Sequence, residues 1–245
     1  MNSENSIKDS LDMLTKRWKI DPEVYDLHLG RRNDVSDTVV KVNEVIFHIP
    51  TLTKDNLYVL WNCLWPDCHN CCDRQGRLPL TKDDIQTIAK KMRYDSDVEF
   101  VKKETIALSW QEQGASSNII TSLSMLSLKR KVDENEGNNG TPLSCRFLDE
   151  KGSCGIHPEK PGVCWLYPFS SWLESEAGRA VIHATFQLTG DCPGFYVSKS
   201  LDGMMNILKE YSKKIYDYNM AVSRTTRENY GFISIVDLQK TSKGP

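Results

Sequence analysis

Apolar residues recur along this chain with two periods, and the switches between them predict its elements. Ile7, Leu11, Leu14 and Trp18 are four, three and four apart, one face of an amphipathic helix that Asp21-Pro22 ends. Residues 23 to 42 are polar and predict no element. Val45 to Ile49 reads as a strand stopped by Pro50. Thr53 then offers a helix N-cap, and Leu57, Leu60, Trp61 and Leu64 share a helical face that runs into Cys63. Pro66 ends that helix and leaves Cys68 to Cys72 on a loop or tight turn. The clearest helix start is Thr81, with Asp84 at the N3 position of a capping box and Leu80 and Ile85 placed as a staple. Ile85, Ile88, Ala89 and Met92 continue that helix, which is expected to pack beside the cysteine loop before it.

From Val98 to Val132 the pattern turns to strands. Ile106, Leu108 and Trp110 alternate, as do Ile119, Leu123 and Met125, and a shift of the apolar face to Leu126 and Leu128 predicts a bulge. Residues 133 to 140 read as an exposed polar insertion. Ala180, Ile182, Ala184, Phe186 and Leu188 form a period-two strand that leads to a turn at Gly190-Asp-Cys192-Pro-Gly194. Leu201, Met204, Leu208, Tyr211, Ile215, Tyr218 and Val222 then stripe a last long helix. Core packing accounts for that stripe better than a coiled-coil seam, which would run longer. The tail after Lys240 is expected to be disordered. Together these elements predict one α+β domain with short strands, flanking helices and an irregular cysteine-rich core. Its segments are a helix and strand over 1–59, a cysteine-cluster domain over 60–196, and a helix with a tail over 197–245.

Composition changes this picture only at the cysteines. With 31 basic and 33 acidic side chains, the formal charge of −2 gives no case for nucleic acid or an anionic membrane as a partner. The N-terminus lacks the apolar core of a signal peptide, and no apolar run is long enough to cross a bilayer. The expected location is therefore the cytoplasm, where thiols stay reduced and eight cysteines need a use other than disulfides.

Those cysteines fall in three groups: Cys63, Cys68, Cys71 and Cys72; then Cys145, Cys154 and Cys164; then Cys192. Each sits at a turn or an element end, Cys145 at the start of an apparent strand, rather than on an apolar stripe. This is the pattern of ligands aimed from loops at zinc or an iron–sulfur cluster. All eight are candidate ligands. Adjacent Cys71 and Cys72 point apart in most backbones, so either they serve different metals or only one of them ligates, and eight thiols suffice for two four-sulfur sites or one site with spares. The stretch 145–164 supplies three thiols, and its fourth must come from the 63–72 segment or from Cys192. His69 and His157 are the only nitrogen candidates, favoured in supporting roles, while His28, His48 and His183 read as ordinary. Trp61, Trp65, Trp165 and Trp172 flank the cysteine segments, and core packing is their simplest role. No phosphate loop, dinucleotide fingerprint, nucleophile elbow or zinc-protease motif is present, and no catalytic residue can be named.

The ordered string Cys68-x2-Cys71-Cys72, Cys145-x-Phe-Leu, Cys154-x-Ile, Pro161-x-x-Cys164-x-x-Tyr-Pro-Phe169 and Cys192-Pro-Gly resembles the YkgJ-type cysteine-cluster proteins over about residues 60 to 196. Lys160 and Trp165 stand where that family often carries arginine, and Cys63 lies one residue farther from Cys68 than usual. The resemblance implies chelation of zinc or iron. Some similar proteins are lysine methylases acting on flagellin, which keeps an enzyme reading open beside a structural zinc site in an interaction module. The expected cofactor is an iron–sulfur cluster ahead of zinc, since eight thiols and few histidines suit clusters. The expected partner, if any, is a protein.

Overall fold

The computed structural model describes residues 3–74, 77–113, 120–131, 144–176, 179–188 and 190–227. In chain order the elements are α1 (Ser3–Thr15), α2 (Pro22–His28), β1 (Val35–Val42), β2 (Val45–Leu52), β3 (Leu57–Trp61), α3 (Asn70–Arg74), α4 (Lys82–Lys91), α5 (Asp97–Glu104), β4 (Thr105–Gln113), β5 (Ile120–Leu128), α6 (Gly162–Leu166), β6 (Phe169–Glu176), β7 (Arg179–Phe186), β8 (Phe195–Ser198) and α7 (Asp202–Arg227). Helices and strands are mixed as an α+β fold, and the chain divides into two compact units. The first comprises Met1–Cys71 and Leu166–Asn219, the second Cys72–Trp165 and Met220–Pro245.

The first unit is built on a six-stranded sheet in the order β6-β7-β2-β3-β8, with β1 paired along the other edge of β2. β2 runs parallel to β7 and antiparallel to β1 and β3. Its alternation puts Val45, Phe47 and Ile49 into the core, against Phe169 of β6 and Ile182, Ala184 and Phe186 of β7. The Phe47–Phe169 and Phe169–Phe186 rings lie 5.5 and 4.9 Å apart, within the range of favourable aromatic packing. α7 contributes Met204, Leu208 and Ile215, all fully buried, so its stripe is core.

The second unit packs α4 and α5 on the antiparallel pair β4–β5. Leu78, Ile85, Ile88, Phe100, Leu126, Leu128 and Ile156 form its core, and Cys154 and Cys164 pack against that cluster. The capping box at Thr81 is present: its hydroxyl accepts from the Asp84 N–H at 3.1 Å, and Asp84 accepts from the Thr81 N–H at 2.8 Å.

Several sequence expectations fail, each for a tertiary reason. Leu57 to Trp61 is a strand, because its pairing with β2 and β8 buries Val59, Leu60 and Trp61 together, which a helical face could not do. Asn56, at φ 51°, takes the left-handed turn position that closes the β2–β3 hairpin. Pro50 lies inside β2, and the strand continues to Leu52. The polar stretch after Pro22 holds α2 and β1. Asp97–Glu104 is helical, started by Ser96, whose hydroxyl accepts from the Glu99 N–H. The β4–β5 register runs unbroken from Thr105↔Leu128 to Gln113↔Ile120, with no bulge. Cys71 and Cys72 lie on α3 rather than a loop, and Cys145 forms an isolated bridge to Arg130 instead of opening a strand. The predicted insertion at 133–140 and the tail after Lys240 lie outside the described residues.

Candidate metal centre

The eight cysteines are all unbridged, and they divide four and four between the two units. In the first unit β3 ends at Trp61 and delivers the exposed Cys63. The Cys68 N–H donates to the Leu64 carbonyl at 3.0 Å, closing the turn that leads to Cys71. Two contacts bring the Cys192 turn to this segment. The Asn62 N–H donates to the Gly194 carbonyl at 2.9 Å, and the Asn70 side-chain amide donates to the Asp191 carbonyl at 3.1 Å. Gly194 is required here, because a Cβ would collide with the Asn62 carbonyl oxygen. The Trp61 indole N–H donates to Cys192 Sγ at 3.3 Å. Tyr211 of α7 closes the other side, edge-on to Trp61 at 5.7 Å, with its hydroxyl donating to the Tyr167 carbonyl at 3.2 Å.

In the second unit the Cys145 N–H donates to the Cys72 carbonyl at 2.9 Å, while Arg130 pairs with Cys145 across a β-bridge. A tight turn follows. Asp149 accepts from the Lys151 and Ser153 N–H groups at 2.9 and 2.8 Å, and Gly152 adopts φ 81°. The turn folds Cys154 back onto Leu148. Cys164 sits on α6, where the Gly162 N–H donates to Asp84 at 2.8 Å and ties this helix to the cap of α4. Lys160 lies 4.1 Å over the Trp165 ring.

The electrostatics follow the same division. Burial pushes the Cys164 thiol far above its ordinary value, opposed by Lys160 and assisted by Cys145, Cys72 and Cys154. Although Cys164 is partly exposed as a residue, its sulfur is enclosed. Burial likewise raises Cys145 and Cys154. Cys192 is pushed up to about 11 by burial, against the Gly194, Trp61 and Tyr167 donors that favour its thiolate, and Cys68 adds to the rise. Tyr211 is raised by burial first and then by Cys63, Glu210, Cys71 and Cys192. Cys63, Cys68, Cys71 and Cys192 therefore share one neighbourhood, and Cys72, Cys145, Cys154 and Cys164 the other.

Among the described residues, no group of three or more His, Cys, Asp or Glu side chains is placed so that it could hold a metal ion. The thiols are gathered into neighbourhoods without converging on a point. Their chemistry nonetheless fits thiophilic metal: four sulfurs per unit match a four-thiolate zinc site or a four-cysteine iron–sulfur cluster. Each set also lies beside groups that favour thiolate, Trp61 and Tyr167 in one and Lys160 and Arg130 in the other. Metal would supply Lewis acidity or electron transfer according to its identity. Sulfurs held on turns can close on an ion as it binds.

Cys72 lies in the second unit with Cys145, Cys154 and Cys164, and its carbonyl accepts from the Cys145 N–H. A positive charge does act on Cys154 and Cys164 where arginine is absent, since Lys160 supplies it. The His157 backbone N–H donates to the Cys154 carbonyl at 3.1 Å, and its ring lies 5.8 Å from Trp165. Trp65 is exposed. Trp172 stacks at 5.5 Å on both His48 and His183, whose rings are joined by a 2.9 Å hydrogen bond. Those two histidines, read as ordinary, thus form a pair that only the parallel β2–β7 register creates. Two further residues border the thiols without a signal in the sequence, Tyr211, which reads there as core, and Arg130.

No helix among the described residues is long and apolar enough to cross a membrane. No curated protein and no solved structure is similar to this chain at a significant level. The model of one family, CxxCxxCC, described as "Putative zinc- or iron-chelating domain", matches residues 62–191 and spans seven of the eight cysteines. That span, more than half of the chain, shows that this protein belongs to the CxxCxxCC family of zinc- or iron-chelating domains.

Proposed function

We propose that this protein binds iron–sulfur clusters through its clustered cysteines, all eight acting as ligands. The observation that carries the reading is the division of eight unbridged thiols four and four between the two units. Sulfur-only sets suit iron–sulfur clusters and structural zinc alike. Enclosed sulfurs beside aromatic rings favour the cluster, which such surroundings shield from water. Anaerobic purification followed by iron, zinc and sulfide analysis with a visible spectrum tests it. Brown protein with matching iron and sulfide is expected. Colourless protein with stoichiometric zinc would replace the cluster with structural zinc sites, and protein with neither metal would end the reading.

A second reading, a cluster-dependent group transferase acting on protein lysine, draws support from one feature. A cleft of about 400 Å³ is lined by Lys19, Asp21, Asn62, Leu64, Pro193, Gly194 and Tyr196 among others. Asn62 and Leu64 bracket Cys63, and Pro193 follows Cys192, so a ligand there would lie beside the exposed end of the first thiol set. Binding of S-adenosylmethionine to the metal-loaded protein is the test, and no detectable binding would count against it. The interaction-module reading has less support. The long apolar stripe of α7, the natural docking face for such a module, is buried at Met204, Leu208 and Ile215.

A further inference from the structure

β1 lies along the whole of β2, from Val35↔Leu52 to Val42↔Val45, and the turn between them holds Asn43 at φ 51°. Among the described residues no strand pairs with its other edge. The backbone groups on that edge can be identified. The Thr53 N–H donates to the Asp34 carbonyl at 2.8 Å, in step with the β1–β2 register. Bonded pairs in an antiparallel ladder recur at every second residue, so Ser36, Thr38, Val40 and Val42 bond to β2. Val35, Asp37, Val39 and Lys41 then turn their N–H and C=O groups outward, a template for another strand.

The side chains of those same residues are open. Val39 is 59% exposed and Val35 41%. Lys41 is exposed, and Asp37, 3.9 Å from His48, keeps 54% of its side chain exposed. Charges on an edge ordinarily repel a second strand, but here one of each sign flanks Val39 at equal spacing. A two-fold axis through Val39 would set it against its own copy and Asp37 against Lys41 on both sides. An axis at Asp37 or Lys41 would oppose like charges, which is unfavourable. One at Thr38 or Val40 would leave each charge against a valine or a residue beyond the strand.

We propose that β1 pairs antiparallel with β1 of a second copy of this chain, Val39 against Val39 and Asp37 against Lys41, joining two sheets into one. Such a two-fold contact closes on itself and gives a dimer. It is independent of the metal-binding reading.

Sedimentation of the full chain, kept reduced so that thiols cannot cross-link it, tests this over a range of concentrations. Wild type should show a monomer–dimer equilibrium, and a monomer throughout would overturn the proposal. Asp37→Lys and Lys41→Asp should each weaken dimerisation at least about tenfold, since two attractive pairs become repulsive. An equimolar mixture of these two variants should dimerise like wild type, because every pairing of positions 37 and 41 again joins opposite charges. Val39→Pro removes an outward N–H without touching the bonds to β2, and should give a monomer with the melting temperature of wild type. If that variant does not fold, the charge variants, altered only at exposed side chains, still decide the matter. A dimer that neither charge variant weakens, or a mixture that fails to restore a weakened one, would overturn this pairing.

Discussion

Cys192 shows most directly how this fold sets the chemistry of one sulfur. Burial raises its thiol from 9.0 to about 11, although three donors favour the charged form. A group raised on folding stabilises the folded state below its unfolded value, and the contribution disappears as pH climbs through the folded value. In the reduced, metal-free protein the melting temperature should therefore fall between about pH 9 and 11. The fall should be steeper in wild type than in Cys192→Ser, and equal slopes would show that the sulfur is not enclosed. Alkylation should follow exposure, with Cys63 modified first and Cys145 last, as peptide mapping after short iodoacetamide pulses would reveal. Gly194 has no ligand atom, yet Gly194→Ala should disturb the first thiol set, because the new methyl meets the Asn62 carbonyl. The expected result is slower Cys192 protection by metal with the second unit's thiols unaffected.

At the level of elements, the cap of α4 is coupled to a ligand. Asp84 accepts from the Thr81 backbone and hydroxyl with one oxygen and from Gly162 with the other, so one carboxylate starts α4 and holds the turn before Cys164. Asp84→Ala should cost at least the usual ~1 kcal/mol of a lost cap in urea unfolding. It should also speed metal release from the second unit, whereas a cap acting alone would change stability only. α7 is anchored by ordinary burial. Leu208→Ala should cost about 2–5 kcal/mol, read from the urea midpoint, because Leu208 is fully enclosed. A much smaller cost would mean that the stripe faces a partner rather than its own sheet.

For the molecule as a whole, metal and stability should be linked, since sulfurs drawn from distant segments are restrained together only when an ion holds them. Chelation of the loaded protein should lower its melting temperature, and Cys154→Ser should both lose metal and destabilise. A Cys154→Ser protein with full metal and unchanged melting would place the site elsewhere. The boundary of the two units, which falls between Cys71 and Cys72, belongs to this scale. Consecutive residues on a helix point roughly 100° apart, so two adjacent thiols on α3 can serve different units.

The sequence by itself determined the cysteine-cluster family, the α+β class, the capped helix at Thr81, the strand through Ile182 and Phe186 and the core role of α7. Each rests on local chemistry: residue type, spacing and hydrophobic period. It could not decide that Leu57 to Trp61 is a strand, since that short apolar run fits either period and pairing with β2 and β8 settles it. Nor could it group the thiols. Cys72 is next to Cys71 in the chain but hydrogen-bonded through its carbonyl to Cys145, and Cys192 meets Trp61 across 131 positions. Spacing records distance along the backbone, and only the folded chain converts it into distance between sulfurs. The buried Arg130 is the sharpest case: in the sequence it is the middle of Lys-Arg-Lys, and only tertiary packing turns it from a surface charge into an enclosed one bridged to Cys145.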